Sequence, residues 1–588
     1  MAGEARRNFI KAVACGFGVR TQLMAAAPAA AAGGVGVFNV RDHGAQGDGV
    51  RLDTSAIRAA VDACGRSGGG IVLFPNGKYL TGTIVLRDNV TLYLAPEAIL
   101  LGSPRIEDFL DRAALHASAS FRKSIIFGAN VSRVAIAGQG TIDGQGGLFK
   151  CDDRTRARQN IYLEYCKEVC VEGITLKNSG AWVSHYQACD DLFIRGIKID
   201  SIANYNNDGI DIDGCQDVSI SDCHIVCSDD AICLKSELTR PCKNITITNC
   251  VIKTRWGAVK FGTPSLGGFE NITVSNCAFY DTYGCAIKLL LVDGGVLDNV
   301  VISDITMDNV TGPIFLRLGN RGSAFGTGLP QPRPAGVFRN VLIRGIRAKL
   351  ASSFRRRSLD NQGLRCENCD DLLINNVRPS GLGQLVSPEA AARASDYNNV
   401  DCGETPAKEK QMGSIILGIP GHLIENVMLD DIHITHPGGG TLDDANFDPA
   451  EHERDYPDYQ VFAPAPAYGF YVRHARGITL NNVWLETATP DFRPAVFCDD
   501  VEELDISGLR AMGNSGGSAL VRLRQAKSVF LRGCRPLGGV DRFLRVEGEH
   551  SAAIGLAAND FRSLKTVIET ADSVPKGVVQ SIGNLEAV

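Results

Sequence analysis

Residues 216–279 hold three near-copies of one phrase: QDVSISDCHI (Gln216–Ile225), KNITITNCVI (Lys243–Ile252) and ENITVSNCAF (Glu270–Phe279). Each opens on two polar residues, alternates apolar and polar positions, and closes on a second polar pair and a further apolar pair. Alternation with period two marks a half-buried strand, and the inner polar pair marks a bend. The same phrase starts at Lys167, Asp190 and Asp298, so that six consecutive copies are separated by 23, 26, 27, 27 and 28 residues. It returns from Arg339, Asp370, Glu425, Arg476, Glu502 and Lys527, first at wider intervals of 41, 31, 55 and 51 residues and then at 26 and 25. One strand repeat of this length cannot bury its apolar face alone; copies must stack. The expected fold is therefore all-β, a parallel β-helix (solenoid) with long inter-coil loops.

A coil stack absorbs 588 residues in one body, so residues 34–588 are expected to form a single β-helix domain. Residues 1–33 read as a leader. Arg6 and Arg7, then Phe9 and Lys11, precede an apolar stretch and a run of small residues, the pattern of a twin-arginine export signal. A periplasmic or secreted location follows as an expectation. The net charge of −6 and the scattered basic residues provide no footprint for nucleic acid. No run of 18 or more apolar residues occurs, so no membrane span is expected.

Stacked coils lie about 4.8 Å apart, so residues at equal phase form columns along the axis. Cys223, Cys250 and Cys277 fall in one such column. Parallel Cβ vectors are poorly aimed for bridging, and inward thiols pack as small hydrophobes. Most of the 19 cysteines are therefore expected to be buried and free, with Cys402 a candidate for surface pairing. Cys366 and Cys369 have metal-like spacing but lack a second pair, so no structural metal is expected.

The same logic acts on the stretch from Asn206 to Ser236. Laying NNDGIDIDG over SDDAICLKS sets Asp208 and Asp230 at one phase of neighbouring coils, with Asp229 beside them at a turn. Turn chemistry alone explains one such cluster. Two in register bring three carboxylates together, and crowded like charges raise at least one pKa while others stay ionised. An acid for the leaving oxygen and a base for water are what hydrolysis of a glycosidic bond requires.

These motifs resemble the polygalacturonase family, glycoside hydrolase family 28, with divergence at two positions. FNVRDHGAQGDGVRLDTSAIRAAVDAC (Phe38–Cys64) is similar to the family's opening strand and N-terminal capping helix. The family's Asn-Thr-Asp corresponds to Asn206, Asn207 and Asp208, and its Asp-Asp to Asp229 and Asp230. The resemblance implies a right-handed parallel β-helix that cleaves pectic polysaccharides with inversion and without a cofactor. It implies Asp229 as general acid, and Asp208 and Asp230 as the groups that position and deprotonate water. Gly257 stands where the family's Gly-His-Gly histidine would fall. Ala286 stands for the arginine of Arg-Ile-Lys, whose lysine is kept as Lys288.

Other side chains are expected on the same flank. If Val259 and Phe261 point inward, Lys260 points outward with Lys288 at the matching phase one coil on. Lys260, Lys288, Lys235, Arg255, Asn206 and Trp256 are candidate contacts for an acidic sugar. Lys235 has a competing reading, an ion pair with Asp213 at equal phase. Trp182 and Tyr205 are nearby aromatics, and His185 reads as a structural polar group. Long insertions at 319–335, 379–413 and 437–467 would close an open cleft, which predicts exo action on a plant cell-wall polysaccharide or oligosaccharide. A β-helix lyase or epimerase, and a non-catalytic carbohydrate-binding coil, are the alternatives.

Overall fold

The computed structural model describes residues 36–111, 123–148, 158–204, 206–322, 333–351 and 412–586, with two short strands at Ser358–Asp360 and Gly363–Arg365. The expected leader, Tyr205, Cys366, Cys369 and Cys402, and the insertion at 379–411, lie outside these residues.

The repeated phrase forms what its period predicts. Strands of successive coils pair in parallel into one 40-stranded sheet that winds around the axis. Alternate residues enter the interior and stack: Ile194, Ile220, Ile247, Val274, Ile302 and Ile343 are each paired with the next across consecutive rungs and are all 0 % exposed. Burying a Val or Ile side chain stabilises by about 1.5–3 kcal/mol, and each rung repeats the term. The core is thus a set of columns.

The polar pairs of the phrase have a separate cause. Asp217, Asn244, Asn271 and Asn299 occupy the left-handed region, with φ of 57°, 56°, 56° and 57°. Asn and Asp tolerate this conformation best among residues with a side chain. Their amides also form a ladder from coil to coil: Asn244 Nδ2 donates to Asp217 Oδ1 at 2.9 Å, Asn271 Nδ2 to Asn244 Oδ1 at 2.8 Å, and Asn299 Nδ2 to Asn271 Oδ1 at 3.1 Å. The polar pair therefore turns the chain and ties adjacent turns.

One expectation changes. By its pattern the phrase at 370–379, which lies outside the described residues, is expected to form a rung between those at Arg339 and Glu425. Those two pair directly instead, Arg339 against Glu425 and Ile343 against Leu429, so no rung separates them. Alternation alone cannot tell a core strand from a strand-like insertion, because both satisfy period two.

Helix α1 (Thr54–Arg66) covers the first coil. Ile57, Ala60, Val61 and Cys64, spaced for one helical face, are buried against it. All 14 described cysteines are free thiols, and 13 of them are buried. Besides Cys223, Cys250 and Cys277, a second column runs through Cys166, Cys189, Cys215 and Cys242, each one residue before the register-matched Lys167, Asp190, Gln216 and Lys243.

One flank of the helix carries the candidate site. Its strands are β1 (Ser184–Gln187), β2 (Ile210–Asp213), β3 (Ile232–Ser236), β4 (Val259–Ser265), β5 (Ile287–Leu291) and β6 (Ile314–Leu318). Ser184, Ile210, Ile232, Val259, Ile287 and Ile314 share one phase. The next residue of each strand faces the other way, giving the outward column His185, Asp211, Cys233, Lys260, Lys288, Phe315.

Candidate active site

The register settles the carboxylate geometry. Ile210 pairs with Ile232 and Ile232 with Val259, so two residues earlier Asp208, Asp230 and Gly257 form one column in the turns that lead into β2, β3 and β4. These turns are bonded to one another, Gly209 N–H to Asp230 O at 2.9 Å and Ala231 N–H to Gly257 O at 2.8 Å. An oxygen of Asp208, an oxygen of Asp230 and the Cys233 sulfur all lie within 4.8 Å of one another. Asp229 sits beside them, half-buried, whereas Asp208 and Asp230 are 3 % and 1 % exposed.

Two ammoniums are inserted among these carboxylates. Lys260 Nζ lies 2.7 Å from Asp230 Oδ2. Lys235 Nζ lies 3.0 Å from Asp208 Oδ2 and 3.0 Å from Asp211 Oδ1, with the Trp182 ring centroid at 4.3 Å. Asp229 receives neutral donors: Asn206 Nδ2 at 3.1 Å and the Asp230 N–H at 2.9 Å. Asn207 does a different job. Its amide bonds Ser179 O and Ala181 O at 3.0 and 2.8 Å, and its oxygen accepts from Ser201 and from the Asn204 N–H, fixing the turn.

This placement separates the three acids. Burial, then the charges of Asp208 and Asp230, push Asp229 up to about 8. Burial pushes Asp208 up to about 7 against the pull of Lys235, and Asp211 likewise to about 7. Asp230 goes the other way: burial would raise it, but Lys260, aided by Lys288 and Lys235, holds it below the usual carboxylate range. Both lysines stay charged, because their carboxylate partners outweigh the cost of burial. The site therefore offers a protonated acid, Asp229, beside an ionised carboxylate, Asp230.

The expected residues divide into three groups. Asp208, Asp229, Asp230 and Asn206 come together as the column argument requires, and Lys260 and Lys288 share an outward phase on β4 and β5. Lys235 is corrected. Its ammonium does not pair with Asp213 but turns back to Asp208 and Asp211, each at 3.0 Å, and is committed to these two carboxylates. Asp213 is taken by Gln187 Nε2 at 2.7 Å and the Glu237 N–H at 2.9 Å, with His185 Nε2 at 3.5 Å. Trp256 is half-buried, with Lys288 Nζ 4.7 Å from its ring centroid, and Arg255 is half-buried next to it. His185 is buried between Tyr162 and Trp182, a structural group as expected.

Two residues of the site were missed. Asp211 and Cys233 occupy the outward column between His185 and Lys260, and the alternation of Ile210 and Ile212 was enough to find Asp211. The long insertion at 437–467 is expected to close the cleft, but nothing in its sequence says which elements it meets. Residues 437–467 carry the capped helix Leu442–Ala445 and the turn Tyr459–Phe462, and they lie over the same flank. Tyr456 Oη and Thr263 Oγ1 are 2.8 Å apart, Tyr459 and Phe462 pack on Phe315, and Arg317 bonds Glu451 O at 2.5 Å. The insertion thus walls the flank on the side of β4 and β6.

Residues 110–386 match the model for glycosyl hydrolases family 28. A "Probable polygalacturonase" of Vitis vinifera is 37 % identical over 212 residues, 33 % of this chain and 43 % of that protein. An "Exo-poly-alpha-D-galacturonosidase" of Dickeya chrysanthemi is 33 % identical over 159 residues, 25 % of this chain and 26 % of that protein. The chain thus spans less than half the length of these curated relatives. An exopolygalacturonase structure from Thermotoga maritima superposes with a TM-score of 0.51 at 16 % identity, over 76 % of this chain and 91 % of that one, a likeness of fold. The described strands and this likeness of fold agree on a right-handed parallel β-helix, and residues 110–386, a little under half of the chain, are similar to glycosyl hydrolases family 28.

Proposed function

We propose that this chain is a glycoside hydrolase of pectin-type, uronate-containing oligosaccharides, acting with inversion and releasing sugar from a chain end. The observation that carries this reading is the division of labour among three aspartates, Asp208 and Asp230 in register and Asp229 beside them. Among the described residues Asp229 receives only neutral donors, and it keeps its proton up to about 8, while Asp230 is held ionised by Lys260. Asp229 gives its proton to the glycosidic oxygen as that bond breaks. Asp230, with Asp208, takes a proton from a water that attacks the anomeric carbon from the opposite side. The sugar leaves with inverted configuration and no covalent intermediate.

A uronate is favoured by Lys288. It is 2 % exposed, stacked on the Trp256 ring, and among the described residues has no carboxylate within ion-pair distance. A buried cation without a counter-ion is costly, and a substrate carboxylate would relieve it. The wall formed by residues 437–467 supports attack from a chain end, as do the names of the Dickeya and Thermotoga relatives. The expected export of the chain suits a polymer found outside the cell.

Defined oligogalacturonides, followed by NMR at the anomeric proton and by chromatography, test the reading. Appearance of monomer first, with inverted configuration, is the expected result. Retained configuration or an early ladder of intermediate sizes removes inversion or exo action. An ultraviolet-absorbing unsaturated product, or sugar binding without turnover, replaces hydrolysis altogether.

A further inference from the structure

The outward column brings the Lys260 ammonium to 2.7 Å from Asp230 Oδ2. We propose that Lys260, together with the absence of a side chain at Gly257, is a positioning device that holds Asp230 as the charged carboxylate facing water. The inference rests on the hydrolase reading above. Its geometric basis is that both oxygens of Asp230 are spoken for: Oδ2 by Lys260 Nζ at 2.7 Å and Oδ1 by the Gly257 N–H at 3.0 Å. Gly257 occupies the next rung of the Asp208–Asp230 column. A Cβ built there meets Asp230 Oδ1 at 2.7 Å, so a side chain at 257 displaces the carboxylate from that N–H. The glycine is needed for this close approach, since Asp230 fills the space a side chain would take.

Lys260 is 5 % exposed, and its ammonium is directed at Asp230, which distinguishes it from a surface grip on substrate. Among the described residues, the charged and titratable groups facing the pair are Asp208, Asp211, Asp229, Lys235, Lys288, Cys227, Cys233, Cys285 and Tyr456. Of these, Lys235 is already bound to Asp208 and Asp211. Lys288 stacks on Trp256 and neither replaces the 2.7 Å contact. Without Lys260, burial and the neighbouring carboxylates act on Asp230 as they act on Asp229, and the two acids compete for one proton.

The test compares the parent with Lys260→Met, Lys260→Arg and Gly257→Ala on oligogalacturonides, reading kcat, KM and the pH profile of kcat/KM, with circular dichroism as the folding control. Losing an opposite charge at this distance moves a carboxyl by about 1–3 units. The acid limb of Lys260→Met is therefore expected to rise by that amount, with kcat down about 10²-fold, KM nearly unchanged, and recovery in Lys260→Arg. Gly257→Ala, which keeps the lysine, is expected to shift the limb the same way by a smaller amount, and it answers the question if Lys260→Met does not fold. An unmoved acid limb in folded variants, or a loss confined to KM, overturns the proposal. A parent with no hydrolysis at any pH instead overturns the hydrolase reading on which it rests.

Discussion

Replacing Asp229 with asparagine should abolish turnover and make the protein more stable, and the stability gain should depend on pH. In the unfolded chain the carboxyl has its ordinary value of 3.8, and in the folded site it is pushed up to about 8. Between these values the folded state binds more protons than the unfolded one, so stability falls as pH rises through the window. Asparagine mimics the protonated acid and removes that loss. At about 1.4 kcal/mol per pH unit, the window sets a ceiling of about 6 kcal/mol. Asp208 and Asp230 supply part of the shift, and Asp208 titrates in the same window. A gain of about 2–3 kcal/mol above pH 8 is the working magnitude. Spread over the unfolding entropy of a chain this long, that is about 2 °C in Tm. Thermal unfolding of parent and Asp229→Asn at pH 4, 6 and 8.5 is the assay. The difference should be near zero at pH 4 and grow with pH. A gain independent of pH, or a loss at pH 8.5, would refute the claim that crowding and burial hold a proton on Asp229.

The same proton sets the alkaline side of activity: kcat/KM should decline as pH rises above about 8, where Asp229 ionises, as a pH–rate profile on oligogalacturonides will show. Lys288→Gln should raise KM for acidic oligosaccharides about tenfold or more while leaving kcat within a few-fold, measured by initial rates; an unchanged KM would place the uronate elsewhere. In the core, Ile247→Ala opens a gap in the column between Ile220 and Val274 and should cost about 2–5 kcal/mol, read as a drop in the denaturation midpoint with the circular-dichroism spectrum retained.

Much of the site was legible because a repeat converts sequence distance into spatial distance. Asp208 and Asp230 are 22 positions apart, and that interval matches the register of Ile210 with Ile232, so adjacency followed from phase alone. The same rule put Lys260 beside Lys288 and buried the Cys223, Cys250 and Cys277 thiols. It failed where phase carries no information. The segment at 370–379 satisfies the pattern, yet the rungs on either side of it pair with each other, because pairing is decided by which strands can reach one another and not by pattern.

Sequence by itself determined the coil, its columns and the meeting of three carboxylates, since a strand alternates its faces by covalent geometry and stacked coils repeat that alternation. Only the tertiary structure decided where flexible parts go. Lys235 shares a phase with Asp213, but its four-carbon stem carries the ammonium to Asp208 and Asp211, where two buried carboxylates hold it better than one. Tyr456 reaches Thr263 across 193 positions, a contact that no period encodes. Backbone phase is local and additive along a solenoid; the destination of a long side chain or an insertion is set by whatever charge and surface the finished fold leaves within reach.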